Sequence, residues 1–181
     1  PLLCLLFFGR HGILGIDNRN HPFHEKEAPI YEAISKRVLC RVCRDFHQLG
    51  KGPEDIKTAY VIGSQARENH PADIWSDLDI LMFTTNPGLY LTQSEWLGAL
   101  GQVLCTVSAL TAGGDPEGLT LFVGGHRVDL VVAPTDELDR LVATQTVHNN
   151  FLRGVRVLLD KDSISHNILP RERRPPALRE I

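Results

Sequence analysis

The segment that most constrains the fold of this chain is a glycine-serine turn between two apolar runs. The second of these runs contains two aspartates. Tyr60–Ile62 has the β-branched and aromatic side chains typical of a strand, and Gly63 follows it directly. Glycine lets the backbone bend and lets a ligand approach closely. Ser64 then lies where a short helix would begin, with backbone N–H groups and a helix dipole that suit a phosphate group. We therefore predict a strand, a tight turn, a short helix and a second strand, in this order.

The second apolar run begins with Asp77 and Asp79, which are two residues apart. On a strand this spacing directs both carboxylates to the same face. Mg²⁺ prefers hard oxygen ligands and is usually held by one or two carboxylates together with substrate phosphates. A Gly-Ser turn alone does not indicate a metal or nucleotide site, and neither does an Asp-x-Asp pair on a solvated strand face. The two features in this order predict a site for Mg²⁺ and a nucleotide.

A third acidic residue, Asp129, interrupts the apolar run Val128–Val132. Aspartate is depleted in strands and is costly to bury without a partner. Two explanations are open from the residues alone. Either Asp129 pairs with a base such as Arg127, two residues away, or it contributes to a metal site.

The pattern Gly-Ser-x-Ala-Arg beginning at Gly63, followed by Ser-Asp-x-Asp beginning at Ser76, resembles the nucleotidyltransferase superfamily related to DNA polymerase β. The longer run Gly-Ser-Gln-Ala-Arg-Glu-Asn…Pro…Asp-Ile-Trp-Ser-Asp-Leu-Asp-Ile is similar to one branch, the aminoglycoside (streptomycin) 6-adenylyltransferases. The resemblance covers residues 30–181 and is strongest over residues 62–85, 127–142 and 155–170. Gln65 departs from it, because the adenylyltransferases are expected to have arginine there.

The resemblance implies an α/β (α+β) nucleotidyltransferase fold, in which a mixed β-sheet has helices packed mainly on one side. It also implies ATP as the co-substrate and Mg²⁺ as the cofactor. In this superfamily a third carboxylate lies on a strand that follows the Asp-x-Asp pair, which favours Asp129 as the partner of Asp77 and Asp79. These three residues are the expected metal ligands and catalytic residues. Asp129 would complete a metal shell or accept the proton of the attacking hydroxyl.

The nucleotide phosphates are expected to bind at the turn. Gly63 and Ser64 would contact them through backbone N–H groups and the serine hydroxyl. Arg67 follows Ser64 by about one helical turn and has two explanations. It reaches a phosphate, or it forms a structural salt bridge with Glu68 or Asp73.

The composition excludes several classes of protein. A net charge of −3 over 181 residues excludes a strongly basic nucleic-acid binder, so no nucleic acid is expected as a partner. A hydrophobic content of 43% excludes a mainly disordered chain. The cysteines do not have the spacing of a disulfide framework, which fits a reducing cytoplasm. No apolar run reaches the length of a membrane helix, about 20 residues, so no membrane is expected as a partner.

Three parts are predicted along the chain. Residues 1–27 form a peripheral or poorly ordered segment, in which His21-x-x-His24 is predicted to be a solvated loop. Residues 28–169 form the nucleotidyltransferase domain, and the arginine-rich residues 170–181 form a linker towards an absent C-terminal helical domain. The predicted elements are a helix over 29–49, strands over 58–62, 77–83, 102–107, 119–123, 127–132 and 156–159, a turn at Asn86–Gly88, a helix capped by Thr92-x-x-Glu95, and a helix that opens at Pro134.

The predicted function is transfer of AMP from ATP to a hydroxyl of an aminoglycoside such as streptomycin, which is an antibiotic-resistance activity. Members of the family that it resembles have a C-terminal helical domain that helps to bind the aminoglycoside. The chain is expected to be a truncated form without that domain and to have weak activity or none. Two alternatives remain: a minimal nucleotidyltransferase that modifies a protein or an RNA, and a non-catalytic remnant. Neither the oligomeric state nor the general base is assigned from the sequence.

Overall fold

A computed structural model of the chain describes residues 40–49, 51–67, 72 and 76–169. These residues form a six-stranded sheet flanked by helices. The strands are β1 (Ile56–Ile62), β2 (Leu78–Thr84), β3 (Val103–Leu110), β4 (Pro116–Phe122), β5 (Arg127–Pro134) and β6 (Val155–Asp160). Their order across the sheet is β3-β4-β5-β2-β1-β6.

Most of the described helical elements lie between strands along the chain, whereas the first precedes β1 and the last follows β6. Helix α1 covers residues 40–49, and the later helices are α2 (Pro87–Thr92), α3 (Thr135–Thr144) and α4 (Ser165–Ile168). In the described residues, 3₁₀ helices cover Gly63–Ala66, Glu95–Ala99 and Asn149–Arg153. Within the described ranges, no helix is long and apolar enough to cross a membrane.

The sheet is mixed, because β2 and β5 are parallel whereas the other paired strands are antiparallel. The predicted α+β fold with a mixed sheet is therefore confirmed. The predicted strands over 119–123 and 127–132 are present as β4 and β5, which form an antiparallel hairpin across residues 124–126. Its end is closed by a hydrogen bond in which the backbone N–H of Phe122 donates to the carbonyl oxygen of His126 at 3.0 Å.

Strand β2 lies in the middle of the sheet and is buried on both faces, which explains its nearly uninterrupted apolar run. Ile80 and Met82 belong to the apolar cluster that includes Phe46 of α1. Leu81 and Phe83 belong to a second cluster, which includes Leu138 of α3. Helical elements thus cover both faces of the sheet, rather than mainly one face as expected, and β2 lies between two packed layers.

Two local predictions are wrong. The predicted turn at Asn86–Gly88 is the start of α2, because Pro87 occupies the first helical position, where its fixed φ and missing N–H are tolerated. The predicted capping box is absent, because Thr92 is the last residue of α2 and its hydroxyl donates to the Gly88 carbonyl oxygen at 2.7 Å. Glu95 begins a 3₁₀ helix that has no side-chain cap.

Several predictions lie outside the described residues. These are the peripheral segment 1–27 with His21 and His24, the first part of the long helix (29–39) and the linker 170–181. The last part of that helix, residues 40–49, is helical as predicted.

The central position of β2 predicts a large stability cost for truncating its core side chains. Ile80 is fully buried, so Ile80→Ala should lower the free energy of unfolding by about 2–5 kcal/mol. Leu104 on the edge strand β3 is 64% exposed, and Leu104→Ala should change it by about 0.5 kcal/mol or less. Urea unfolding of both variants measures the difference. Equal losses of unfolding free energy would contradict the burial of Ile80 and the exposure of Leu104.

Candidate active site

The acidic residues lie where two parallel neighbouring strands begin. Asp79 of β2 and Asp129 of β5 are opposite each other in register. Because side chains alternate between the faces of a sheet, residues in register on parallel neighbours project to the same face. Asp77 lies one residue before β2, at the same end. Asp129 is buried, with 5% of its surface exposed, whereas Asp77 and Asp79 are half-buried.

Arg127, the first residue of β5, connects two of these carboxylates. Its Nε donates to Oδ1 of Asp129 at 3.0 Å, and its Nη2 donates to Oδ2 of the same carboxylate at 3.1 Å. The same Nη2 also forms an ion pair with Oδ2 of Asp77. The Arg127 side chain is only 18% exposed. Arg127 therefore forms a two-point contact with the buried Asp129 and reaches Asp77 as well.

This ion-pair group explains how a carboxylate is tolerated inside an apolar strand. An ionised carboxylate that is buried without a partner is strongly destabilising, whereas a fork-shaped guanidinium compensates it with two parallel charge-assisted bonds. Of the two explanations that the sequence left open for Asp129, the pairing with Arg127 is present in this structure. The pairing with Asp77 adds a contact between residues that are 50 positions apart.

The acidic residues provide the right ligand atoms for Mg²⁺, because all their candidate donors are hard carboxylate oxygens. In the part of the chain that the structure describes, no three Asp, Glu, His or Cys side chains form a group that could hold a metal ion. The guanidinium of Arg127 lies against two of the three carboxylates instead. The chemistry of the donors therefore fits Mg²⁺, and the present arrangement is that of an ion-paired site.

Gly63 lies against the carboxylate of Asp79. Ile62, its neighbour, pairs with Asp79 across β1 and β2. A Cβ atom on Gly63 would lie 2.5 Å from Oδ2 of Asp79, and the φ angle of Gly63 is +70°. A side chain at this position would have to displace the carboxylate. The absence of a side chain at Gly63 therefore allows the turn and the acidic residue to lie in direct contact.

The predicted short helix after Gly63 is a single 3₁₀ turn, Gly63–Ala66, which contains the half-buried Ser64. Gln65 connects this turn to the acidic strand, because its Nε2 donates to the carbonyl oxygen of Ser76 at 3.2 Å. The exposed Arg67 donates from Nε to the carbonyl oxygen of Arg153 at 3.1 Å. Its two expected salt-bridge partners, at positions 68 and 73, lie outside the described residues.

Gly154, just before β6, packs against the back of the same turn. A Cβ atom on Gly154 would lie 3.0 Å from the carbonyl oxygen of Gly63 and 3.1 Å from the carbonyl carbon of Ala66. Sequence reasoning missed this residue. A lone glycine before an apolar strand was the available signal, because such a glycine often marks a close approach of two backbone segments.

A cavity of about 600 Å³ lies at the opposite end of the sheet, away from the acidic residues. It is next to the start of β1 and the end of β2, and its walls include the aromatic rings of Tyr90 and Trp96. Asp55 at this cavity accepts a hydrogen bond from the hydroxyl of Tyr90 at 3.0 Å. The cavity therefore does not belong to the acidic site.

Replacing Gly154 tests the close packing behind the turn. Gly154→Ala should destabilise the protein by about 1–3 kcal/mol more than Gly114→Ala, because its Cβ meets backbone atoms that cannot rotate away. Gly114 is the matched control, since both glycines have a positive φ, +144° at Gly154 and +90° at Gly114. Nothing lies within 4 Å of the Cβ position of Gly114. Urea unfolding measures both costs. Similar losses would show that backbone strain alone explains the effect.

Comparisons with known proteins identify the family of this chain. The family described as streptomycin adenylyltransferase matches residues 41–178. The aminoglycoside 6-adenylyltransferase of Bacillus subtilis (strain 168) is 30% identical over 129 residues, which is 67% of this chain and 43% of that protein. The crystal structure of an aminoglycoside 6-adenyltransferase from Bacillus subtilis is 19% identical, with a TM-score of 0.41, over 59% of this chain and 37% of that one.

The chain thus spans less than half the length of either of these two proteins. The family match includes the Gly63 turn and the three aspartates Asp77, Asp79 and Asp129. The resemblance that the sequence patterns indicated is confirmed. This chain belongs to the streptomycin adenylyltransferase family.

Proposed function

We propose that this chain contains the nucleotide-binding part of an enzyme that transfers AMP from ATP to a hydroxyl of an aminoglycoside such as streptomycin. Membership of the family supports adenylyl transfer. The single observation that carries the proposal is the acidic group beside the glycine turn. Asp79 and Asp129 are in register on parallel strands, and Asp77 shares a guanidinium with Asp129. A Cβ atom on Gly63 of the turn would lie 2.5 Å from Oδ2 of Asp79.

We assign Mg²⁺ to Asp77, Asp79 and Asp129. All three supply hard oxygen atoms, and they lie at one end of two neighbouring strands. When bound, Mg²⁺ would neutralise the negative charge that develops on the phosphate oxygens during transfer. The Mg²⁺ dependence of the activity is part of this proposal.

The phosphates of ATP are assigned to the turn. Ser64 offers a hydroxyl, and the turn that begins at Gly63 offers backbone N–H groups beside the acidic residues. Arg67 lies at the end of this turn and has an exposed side chain. Its hydrogen bond to the carbonyl oxygen of Arg153 keeps the guanidinium next to the turn. A positive charge at this position would attract the β- and γ-phosphates.

In the proposed reaction the acceptor hydroxyl attacks the α-phosphorus of ATP. A new P–O bond forms, the bond to the pyrophosphate oxygen breaks, and the hydroxyl proton passes to a base. Asp129 is a candidate for that base as well as for a metal ligand. Most of the rate would come from orientation and from preorganised charge, as in other phosphoryl transfers.

The acceptor class comes from the relative, which is an aminoglycoside 6-adenylyltransferase. Since the chain spans 43% of that protein, the aminoglycoside is a proposal for the whole enzyme rather than for these residues alone. The reaction consumes ATP, and we therefore propose that it takes place in the cytoplasm.

Binding of Mg²⁺ with ATP tests the assigned site directly. The melting temperature of the chain should rise with Mg²⁺ and ATP, and the stabilisation should reach about 2.7 kcal/mol when the ligand exceeds its dissociation constant a hundredfold. The double variant Asp77→Asn with Asp79→Asn should lose the Mg²⁺-dependent part of this rise, because both assigned ligands lose their charge. Differential scanning calorimetry with and without Mg²⁺ provides the measurement.

Asp139→Asn is the matched control, because Asp139 is an exposed acidic residue on α3 outside the assigned site. This variant should keep the full Mg²⁺-dependent rise. An equal rise in the double variant and in the unmodified chain would show that Asp77 and Asp79 do not hold the metal ion.

A further inference from the structure

Arg127 makes its contacts with the same atoms that the proposed metal site would use. Its guanidinium binds both oxygens of Asp129 and Oδ2 of Asp77. These oxygens are also the assigned ligands of the divalent cation. The positive charge of Arg127 and that of a bound dication would therefore lie within a few ångströms of each other and repel.

The contacts of Arg127 in this structure and the binding of a divalent cation are thus in competition. A carboxylate oxygen that accepts a charge-assisted hydrogen bond from a guanidinium is a weaker metal ligand, because that bond must be lost or distorted when the cation arrives. Arg127 contacts two of the three assigned carboxylates, so the competition concerns most of the site.

The movement that would release the carboxylates is confined to the side chain. The backbone of Arg127 is held in the sheet, where it pairs with Leu121 of β4. The side chain is partly accessible, at 18%, and lies at the end of the sheet rather than in its middle. A rotation of the flexible arginine side chain could carry the guanidinium away while β5 stays in place.

We propose that Arg127 is a positioning residue that occupies the cation site of the ligand-free protein and leaves it when the divalent cation and the nucleotide bind together. The proposal rests on the proposed function, since it takes Asp77 and Asp129 as metal ligands. The triphosphate supplies oxygens that accept hydrogen bonds from the N–H groups of the displaced guanidinium. Binding of the cation alone is opposed, and binding of cation and nucleotide is cooperative.

The test measures how strongly ATP increases the affinity for Mn²⁺, a cation that also takes oxygen ligands and is observed by electron paramagnetic resonance. The dissociation constant of Mn²⁺ is determined with and without ATP for the unmodified chain and for Arg127→Gln. Without ATP, Arg127→Gln should bind Mn²⁺ about tenfold more tightly, because the competing charge is gone. The increase in affinity caused by ATP should be correspondingly smaller in this variant.

Two further variants control the interpretation. Arg140→Gln removes an exposed arginine of α3, which pairs with Glu137 at 3.6 Å, and should bind Mn²⁺ like the unmodified chain. Arg127→Lys keeps the charge but cannot form the two parallel bonds to Asp129, so its Mn²⁺ affinity should lie between those of the unmodified chain and Arg127→Gln. Circular dichroism establishes that each variant is folded. If Arg127→Gln does not fold, Arg127→Lys decides, and it should bind Mn²⁺ alone more tightly than the unmodified chain.

The other outcomes overturn the inference in distinguishable ways. If removal of Arg127 weakens Mn²⁺ binding, the guanidinium supports the loaded site instead of competing for it. If Mn²⁺ affinity is unchanged in both Arg127 variants, the side chain does not control the cation site, and the proposed function is unaffected. If Mn²⁺ binds to none of the proteins, even with ATP, the assigned metal site itself is wrong and the inference falls with it.

Discussion

The parallel, in-register pairing of β2 with β5 is the contact on which the site depends. A parallel neighbour presents its residues to the same face at the same level, so Asp79 and Asp129 become adjacent although 49 residues separate them. The antiparallel neighbours β1 and β4 flank this pair and complete the centre of the sheet. A slip of one residue would move one of the two acidic side chains to the opposite face, and the apolar residues of both strands resist such a slip.

The charge of this acidic group is balanced within the protein. Asp129 is buried and Asp77 is nearby, so two negative charges would repel each other at the end of an apolar sheet. Arg127 compensates both with one guanidinium. The same residue therefore compensates the charge of the acidic group and, in our proposal, weakens the binding of a cation without nucleotide. A site built in this way is stable before its ligands arrive, because its charges are already paired.

The sequence predicted the parts of the site that depend on local spacing. Residue type and periodicity predict the strand before Gly63 and the turn that follows it. They also predict the Asp77 and Asp79 pair and the charged strand around Asp129. The second ion pair of Arg127, with Asp77, joins distant positions, and sequence spacing offers no signal for it. The incorrect prediction of a turn at positions 86–88 has a different cause. Pro-Gly is a turn signal, but proline is also favoured at the first position of a helix.

Two glycines allow close packing between the residues before β6, the turn and the acidic strand β2. A Cβ atom on Gly154, before β6, would lie 3.0 Å from the carbonyl oxygen of Gly63, and a Cβ atom on Gly63 would lie 2.5 Å from Oδ2 of Asp79. A side chain at either glycine would therefore have to displace its neighbours, which are mainly backbone atoms at Gly154 and a carboxylate at Gly63. Strand β6 is an edge strand, and it is separated from β2 by β1. Close packing at the residue before this edge strand therefore limits the side chains that the turn beside a proposed metal ligand can accept.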